Sequence, residues 1–279
     1  MLKIKKFPFD SKLGWSMSRI NIFNDCKRKY YYSYYNKYIL DTKFKEKVVM
    51  LNNLSSIPLE VGIFVHNKIA DMLNGEKLIL ERTSTVKYFE EYYNKISNDD
   101  INLNIINQAE ILLNIFKNSI FNKIYNFSAV EKIVEPDGYG ETRIFDGDQQ
   151  MKAYMKVDYL FLDKDNNINI IDWKTGNFDQ KHINQMKYYY LWAKNSLDLK
   201  FNKVKLFLYY LKTKEVIEVE IPNEIEEQSL IDNIRIDIDD MNKYCASVDY
   251  NMPKGITVFP LTENINKCRY CKFKEICGR

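Results

Sequence analysis

Histidine is scarce in this chain, with two in 279 residues, and no apolar run approaches the roughly 18 residues of a membrane span. The opening residues, MLKIKKFPFD, lack the apolar core of a signal peptide, so a cytoplasmic location without membrane association is expected. No GxxxxGK[ST] phosphate loop occurs, which excludes a nucleotide-driven motor of that kind within the chain. Internal repeats and low-complexity linkers are missing as well. Neither sign of charge dominates: 41 Lys+Arg against 38 Asp+Glu leave a net +3. That balance neither demands nor forbids nucleic acid, because a basic groove can coexist with acidic surface elsewhere. Cysteines number only five, and in a reducing compartment they are expected as metal ligands or bystanders rather than disulfides. What is abundant is apolar and aromatic: 46% hydrophobic residues, with 21 Tyr and 16 Phe, enough for one large core or two modest ones.

The pattern of apolar residues divides the chain. Residues 16–38 read as one helix, with Ser16 or Ser18 as N-cap and a basic-aromatic body, KRKYYYSYYNKY. A second helix is expected over 59–73, with Leu59, Ile63, Ala70 and Leu73 at helical spacing, and further helices over 83–97 and 102–124. From 128 to 174 the period shifts to two, broken by the turn clusters DGYG, FDGDQ and DKDNN, so strands are expected. A helix over 179–196, strands over 203–211 and 215–221, and a helix over 223–246 follow, before an irregular tail, 256–279. The expected architecture is α/β (α+β): a mixed central sheet flanked by helices, with an N-terminal helical region and a C-terminal cysteine tail. All of 1–279 is expected to form one domain, with a helical insertion at about 75–127.

The densest chemistry lies in AYMKVDYLFLDKDNNINIIDWKTGN, residues 153–177. If DKDNN is a five-residue hairpin loop, Leu162 faces Ile168, and the same register sets Asp158 opposite Asp172. Lys174 lies two residues beyond Asp172 and shares its face. Two adjacent carboxylates repel unless a cation or a proton sits between them, and hard oxygen donors of this kind suit Mg²⁺ or Mn²⁺. Such an ion polarises a phosphoryl oxygen and activates water, while Lys174 can orient that water or stabilise charge developing at phosphorus. A solvated edge hairpin with a cross-strand salt bridge has the same spacing. The residues around the hairpin separate the two.

IDWKTG, followed by a helix carrying Gln185 and Tyr189 one turn apart, resembles the active-site core of RecB-like nucleases in the PD-(D/E)xK superfamily. Gly62-Ile-Phe-Val-His66 resembles the GxxxH helix of the same group. The resemblance implies a restriction-endonuclease-like fold, with Asp158, Asp172, Lys174, Gln185 and Tyr189 as catalytic residues. It also implies a metal held by His66, Asp158, Asp172 and the backbone carbonyl of Trp173. His182 shares the Gln185/Tyr189 face but answers to no motif of the group and is expected at the surface. The group usually has glycine three residues before its first aspartate; Met155 stands there, and its side chain is expected to narrow the groove. Members often carry an upstream acid, for which Glu131, Glu135 and Glu141 are all candidates.

The tail reads Cys268-Arg-Tyr-Cys271-Lys-Phe-Lys-Glu-Ile-Cys277, and Cys26 lies far upstream in SRINIFNDCKRKYYY. This arrangement resembles the iron–sulfur clasp of AddB-type and CRISPR-adaptation exonucleases, which implies a 4Fe–4S cluster on Cys26, Cys268, Cys271 and Cys277. A four-cysteine Zn²⁺ site has the same ligand count. Cys245 fits neither pattern and is expected in the core, within the last helix. Lys27, Arg28 and Lys29 are candidates for nucleic-acid binding, partly at the DNA side; the neighbouring tyrosines could stack on single-stranded bases but are expected mostly buried, because three consecutive aromatics cannot all face one ligand. The implied activity is a metal-dependent DNA exonuclease on single strands or duplex ends, serving repair, recombination or CRISPR adaptation beside a helicase or CRISPR-adaptation partner. A weakly catalytic DNA-binding subunit and a defence-element endonuclease are the competing readings.

Overall fold

The computed structural model describes residues 2–81, 87–119, 123, 128–135, 140–198 and 200–279. Parts of the expected helices over 83–97 and 102–124, and most of the DGYG turn, lie outside the described residues.

The first helical region is not one helix. Helix α1 (Met17–Asp25) is capped by Ser16, whose side chain accepts from the Arg19 N–H, and the chain then turns extended at Cys26 (φ −165°). Helix α2 (Lys27–Tyr34) starts afresh, with Cys26 as its N-cap and the Cys26 sulfur accepting the Lys29 N–H at 3.5 Å. The helical period runs through the break without a signal, because capping by a cysteine side chain leaves no sequence pattern of the Ser/Thr/Asp kind. Helix α3 (Thr42–Asn52) and the two-residue strand β1 (Leu54–Ser55) lead into helix α4 (Ile57–Leu73), which starts with Pro58 in its first turn. Its buried stripe is Val61, Val65, Ile69 and Leu73. Of the apolar residues expected there, Leu59 and Ile63 are exposed and Leu73 is inside, so the helix is rotated from the face that their spacing suggested. Strand β2 (Lys87–Tyr88) pairs in parallel with β1, and helices α5 (Phe89–Asn94) and α6 (Asn98–Asn118) follow.

Nine further strands and two long helices complete the described elements, and five of the strands form the central sheet. These are β3 (Ala129–Val134), β6 (Tyr159–Asp163), β7 (Ile168–Lys174), β8 (Val204–Tyr210) and β9 (Glu215–Val219), lying side by side in that order. The β7–β8 pair is parallel and the other pairs are antiparallel. A parallel neighbour needs a crossover, which helix α7 (Gln180–Ser196) supplies. Strands β4 (Glu141–Asp146) and β5 (Gln149–Tyr154) form a separate hairpin, whose turn uses Gly147 at φ +57°. Helix α8 (Glu224–Asn242) opens with a capping box from Asn223 and Glu226. It ends before Cys245, which lies instead in a short strand, β10 (Cys245–Ser247), paired with β11 (Met252–Pro253). Cys245 is nevertheless buried, as expected. The tail contributes only short 3₁₀ turns, at Ile256–Val258, Ile265–Cys268 and Lys274–Cys277.

Alternation along the strands sorts side chains into two cores. On one face, Leu160, Ile170, Leu206 and Leu208 pack in one cluster with Met186, Leu191 and Trp192 of α7 and with the tyrosines of α2. On the other, Tyr159, Phe161, Ile171, Trp173 and Tyr209 pack with α4 and α6. Buried on both sides, β7 reads as a nearly continuous apolar run, as a parallel-paired strand should.

The β6–β7 register is set at its turn. Leu162 pairs with Ile168 and Tyr159 with Ile171, the register expected from the sequence. Asn166 adopts a left-handed conformation (φ +58°), which Asn tolerates better than most residues. The Asp163 carboxylate accepts the backbone N–H groups of Asp165 (3.0 Å) and Asn167 (2.9 Å) and the side-chain amides of Asn167 and Asn169. Burial opposes its charge, but these donors outweigh it and draw the carboxyl from 3.8 down to about 2. A carboxyl depressed in the folded state contributes stability that is complete above its unfolded value and fades as pH falls through its folded one. Asp163→Ala is therefore expected to cost about 1–2 kcal/mol near neutral pH. The gap between variant and parent in urea midpoint should narrow as pH drops from 3.8 towards about 2; a gap that stays constant over this range would contradict the assignment.

Candidate active site

Asp158 stands one residue before β6, and Asp172 is the fifth residue of β7. Continuing the observed register by one step sets them opposite each other, on the face that α7 covers. Asp172 is 2% exposed. Burial and the neighbouring Asp158 charge push its carboxyl above the ordinary range, in spite of Lys174. Asp158 goes the other way. Burial works against its charge, but the His66 imidazolium beside it and the Trp173 N–H hold its carboxyl below the ordinary range.

Each carboxylate has its own cation. His66 Nδ1 lies 3.2 Å from Asp158 Oδ2, and Lys174 Nζ lies 2.5 Å from Asp172 Oδ2. The second contact is a direct ion pair to a buried carboxylate oxygen. His66 comes from α4, the helix on the opposite face, and meets Asp158 at the sheet edge where β6 begins. The approach is close: a Cβ on Gly62, one turn before His66, would sit 3.3 Å from Thr175 Oγ1, just past the end of β7.

Lys174 is fixed from the other side. Its ammonium donates to Gln185 Oε1 (2.8 Å), Gln185 Nε2 donates to the Tyr189 hydroxyl (2.7 Å), and that hydroxyl donates to the Lys156 carbonyl (2.5 Å). The relay uses both ends of the Gln185 amide and ties α7 to the segment entering β6. Burial, with Asp172 and Asp158 next, keeps the Tyr189 phenol protonated far above its ordinary range. The Trp173 N–H donates to Asp158 Oδ2 at 3.0 Å. Successive strand residues turn their carbonyls to opposite edges. The Lys174 carbonyl accepts Leu211 N–H on the β8 side, so the Trp173 carbonyl faces the β6 side, where Asp158 lies.

Among the three upstream acids, geometry separates one. Glu131 accepts the Leu2 N–H, and Glu141 pairs with Arg143 at 2.5 Å. Glu135, just beyond β3, donates its N–H to the Asp158 carbonyl (3.0 Å), which extends the Asp172–Asp158 row by one strand. Its side chain pairs with Lys156 at 2.7 Å, and its backbone sits in the left-handed region (φ +44°). The sequence carried no signal for this choice.

One expectation fails here. Met155 is 3% exposed and packs in the main core, so it does not narrow a groove. The two-residue period of the preceding strand stops at Tyr154, and parity ceases to forecast which way the side chain points. His182 is not a bare surface residue: its Nδ1 lies 2.7 Å from the Tyr210 hydroxyl on β8. Burial and Lys174 hold this imidazole below its ordinary range, and so towards the neutral form.

The cysteines gather at the other end of α1. Cys26, Cys268, Cys271 and Cys277 all line one pocket, together with Asp25, Lys29 and Phe273. Cys245 is elsewhere, 3.9 Å from the Tyr35 hydroxyl. Burial raises the Cys271 and Cys277 thiols, the latter to about 11. The tail is also held without sulfur. Arg28 donates to the Phe259 carbonyl (2.9 Å), Lys267 pairs with Asp25 (2.8 Å), and Lys47 pairs with Glu275 (2.6 Å). Lys27 lies over the Phe23 ring at 3.3 Å, and Lys29 pairs loosely with Asp25 at 3.8 Å. Tyr30, Tyr31, Tyr32 and Tyr35 are buried, so these four offer no stacking surface. Among the described residues, no three or more His, Cys, Asp or Glu side chains converge closely enough to grip a metal ion, at either cluster. No described helix is long and apolar enough to cross a membrane.

The PD-(D/E)XK nuclease superfamily matches residues 14–278, from just before α1 to the last cysteine and one residue past it. The chain belongs to that superfamily. Its mixed sheet flanked by helices is the restriction-endonuclease-like architecture of the PD-(D/E)XK nucleases, which usually employ Mg²⁺ or Mn²⁺. No curated protein matches the sequence. Among solved structures the chain resembles the one described as "Crystal structure of SSO0001", at 16% identity over 68% of this chain and 78% of that one. The TM-score is 0.32, too loose a likeness to place residues.

The donor chemistry of the PD-(D/E)XK site fits such an ion. The buried Asp172 carboxylate, the nearly buried Asp158 carboxylate, an imidazole and a backbone carbonyl on the β6 side are hard or borderline ligands. Because Met155 belongs to the core rather than to this site, Met155→Ala is expected to cost about 2–5 kcal/mol in urea unfolding. A variant as stable as the parent would return the side chain to the groove.

Proposed function

We propose that this nuclease is a metal-dependent DNA exonuclease acting on single strands or duplex ends. The processes in view are DNA repair, recombination or CRISPR adaptation, beside a helicase or a CRISPR-adaptation protein. The observation that carries the reading is the facing pair of Asp158 and the buried Asp172, with Lys174 locked beside it by Gln185 and Tyr189. In this reading Asp158, Asp172, His66 and the Trp173 carbonyl hold Mg²⁺ or Mn²⁺, with Glu135 as the upstream acid. When bound, that ion polarises a phosphoryl oxygen and makes water a competent nucleophile near neutral pH. Lys174 then has two tasks, orienting the water and donating to the oxygen that gains charge at phosphorus. Its amine is held in place before substrate arrives, so no reorganisation is needed at the moment of reaction. Gln185 and Tyr189 act through Lys174. The whole chain serves as one nuclease domain, with 75–127 as its helical insertion.

End-labelled single- and double-stranded DNA, with and without Mn²⁺, tests the activity. Asp172→Asn and Lys174→Ala are each expected to slow cleavage by on the order of 10²–10³-fold or more, with DNA binding retained. Parent-like rates in either variant would remove the assignment.

The reading extends to the tail. Cys26, Cys268, Cys271 and Cys277 are proposed to ligate a 4Fe–4S cluster, with Zn²⁺ as the alternative for the same four thiols. Support comes from the shared pocket and from the Lys29 N–H directed at the Cys26 sulfur. Anaerobically purified protein is expected to be brown and to contain iron. Cys26→Ala should bleach it and lower the melting temperature, while Cys245→Ala leaves the colour unchanged. Colourless protein with stoichiometric zinc establishes the alternative, and colourless protein with neither metal removes the clasp.

A further inference from the structure

Four tyrosines of the basic-aromatic segment, Tyr30, Tyr31, Tyr32 and Tyr35, are buried, so an unpaired base calls for another platform. The loop from β7 to α7 runs from Lys174 through Thr175, Gly176 and Asn177 to Phe178, and Phe178 is 55% exposed. This exposed aromatic ring stands on the connection between two elements that build the site. It is not a loose ring. Its centroid lies 6.0 Å from that of Tyr210, which is 1% exposed. Tyr210 is in turn held by His182, at 2.7 Å from its hydroxyl. Tyr210 is also the direct partner of Lys174 in the β7–β8 register, so this aromatic group borders the ammonium of the site on the side away from Asp158. Lys181, in the first turn of α7, adds a cationic side chain near the same loop.

We propose that Phe178, braced by Tyr210 and His182, stacks the unpaired nucleobase next to the phosphate at Lys174, so that the site selects single-stranded DNA or frayed ends. The inference rests on the nuclease reading above. A paired base keeps its faces inside the duplex stack, whereas an unpaired one has a face free for Phe178, so the ring discriminates by strand state and not by sequence.

The test uses the full-length chain, its Phe178→Ala and Phe178→Trp variants, and fluorescence anisotropy with a labelled single-stranded oligonucleotide and a blunt duplex of equal length, in chelator. Far-UV circular dichroism of each variant checks folding. Stacking on a side chain of this kind is worth about 10-fold or more in affinity, so Phe178→Ala should weaken single-strand binding by that factor. Duplex binding should shift by less than about twofold, and Phe178→Trp should restore single-strand binding to within about threefold. With Mn²⁺, the KM for single strands should rise in Phe178→Ala while kcat holds. Parent-like single-strand affinity in Phe178→Ala, or an equal loss on both DNAs, overturns the proposal while leaving the nuclease reading intact. A parent protein that neither binds nor cleaves either DNA removes both.

Discussion

Two carboxylates placed face to face on adjacent strands, inside the protein, form an arrangement that a fold has to compensate. Asp158 and Asp172 repel each other, and burial penalises both charges. The structure answers with one cation for each: His66 from the far side of the sheet and Lys174 from the same strand as Asp172. That answer dictates much of what surrounds it. Helix α4 must pass close enough to the end of β7 for His66 to reach, hence the glycine against Thr175. Helix α7 must present Gln185 and Tyr189 towards Lys174, and its N-cap at Asp179 sets where that face begins. The sheet holds both acids in register through a turn whose own carboxylate, Asp163, is saturated with donors.

The balance is internal and reversible. A protonated His66 can pair with Asp158, but only a neutral imidazole can serve as a ligand. The structure holds paired charges, whereas the shared cation belongs to the proposed function.

Much of this was legible in the sequence, and the failures have physical causes. The DKDNN turn combined with a two-residue period fixes the register of β6 and β7, because a slip by one residue would turn the apolar set of β6 and β7 outward. Gln185 and Tyr189 are legible through helical spacing. The break at Cys26 is not, since the apolar period continues across it and the cap is a sulfur. The stripe of α4 was misjudged because it carries apolar residues on more than one face, Leu59 and Ile63 as well as Val61 and Val65, and only the tertiary partner α6 decides which are buried. Glu135 depends on β3 meeting β6, and the His182–Tyr210 contact on how α7 packs against β8, neither of which local pattern encodes. Met155 failed because the strand ends one residue earlier.

The tail has a kinetic consequence. Phe259 and Phe273, both fully buried, pack on the α2 tyrosines: Phe259 lies against Tyr31 at 4.9 Å and Phe273 against Tyr32 at 5.2 Å. These partners are more than two hundred residues apart, and contacts so distant along the chain form late. During synthesis the N-terminal helices leave the ribosome long before their cover does. Until then, a layer of tyrosine rings stands open to water and to other nascent chains. A chain cut short before Phe259 would therefore carry most of its nuclease core with a sticky aromatic patch uncovered, a natural substrate for chaperones and proteases.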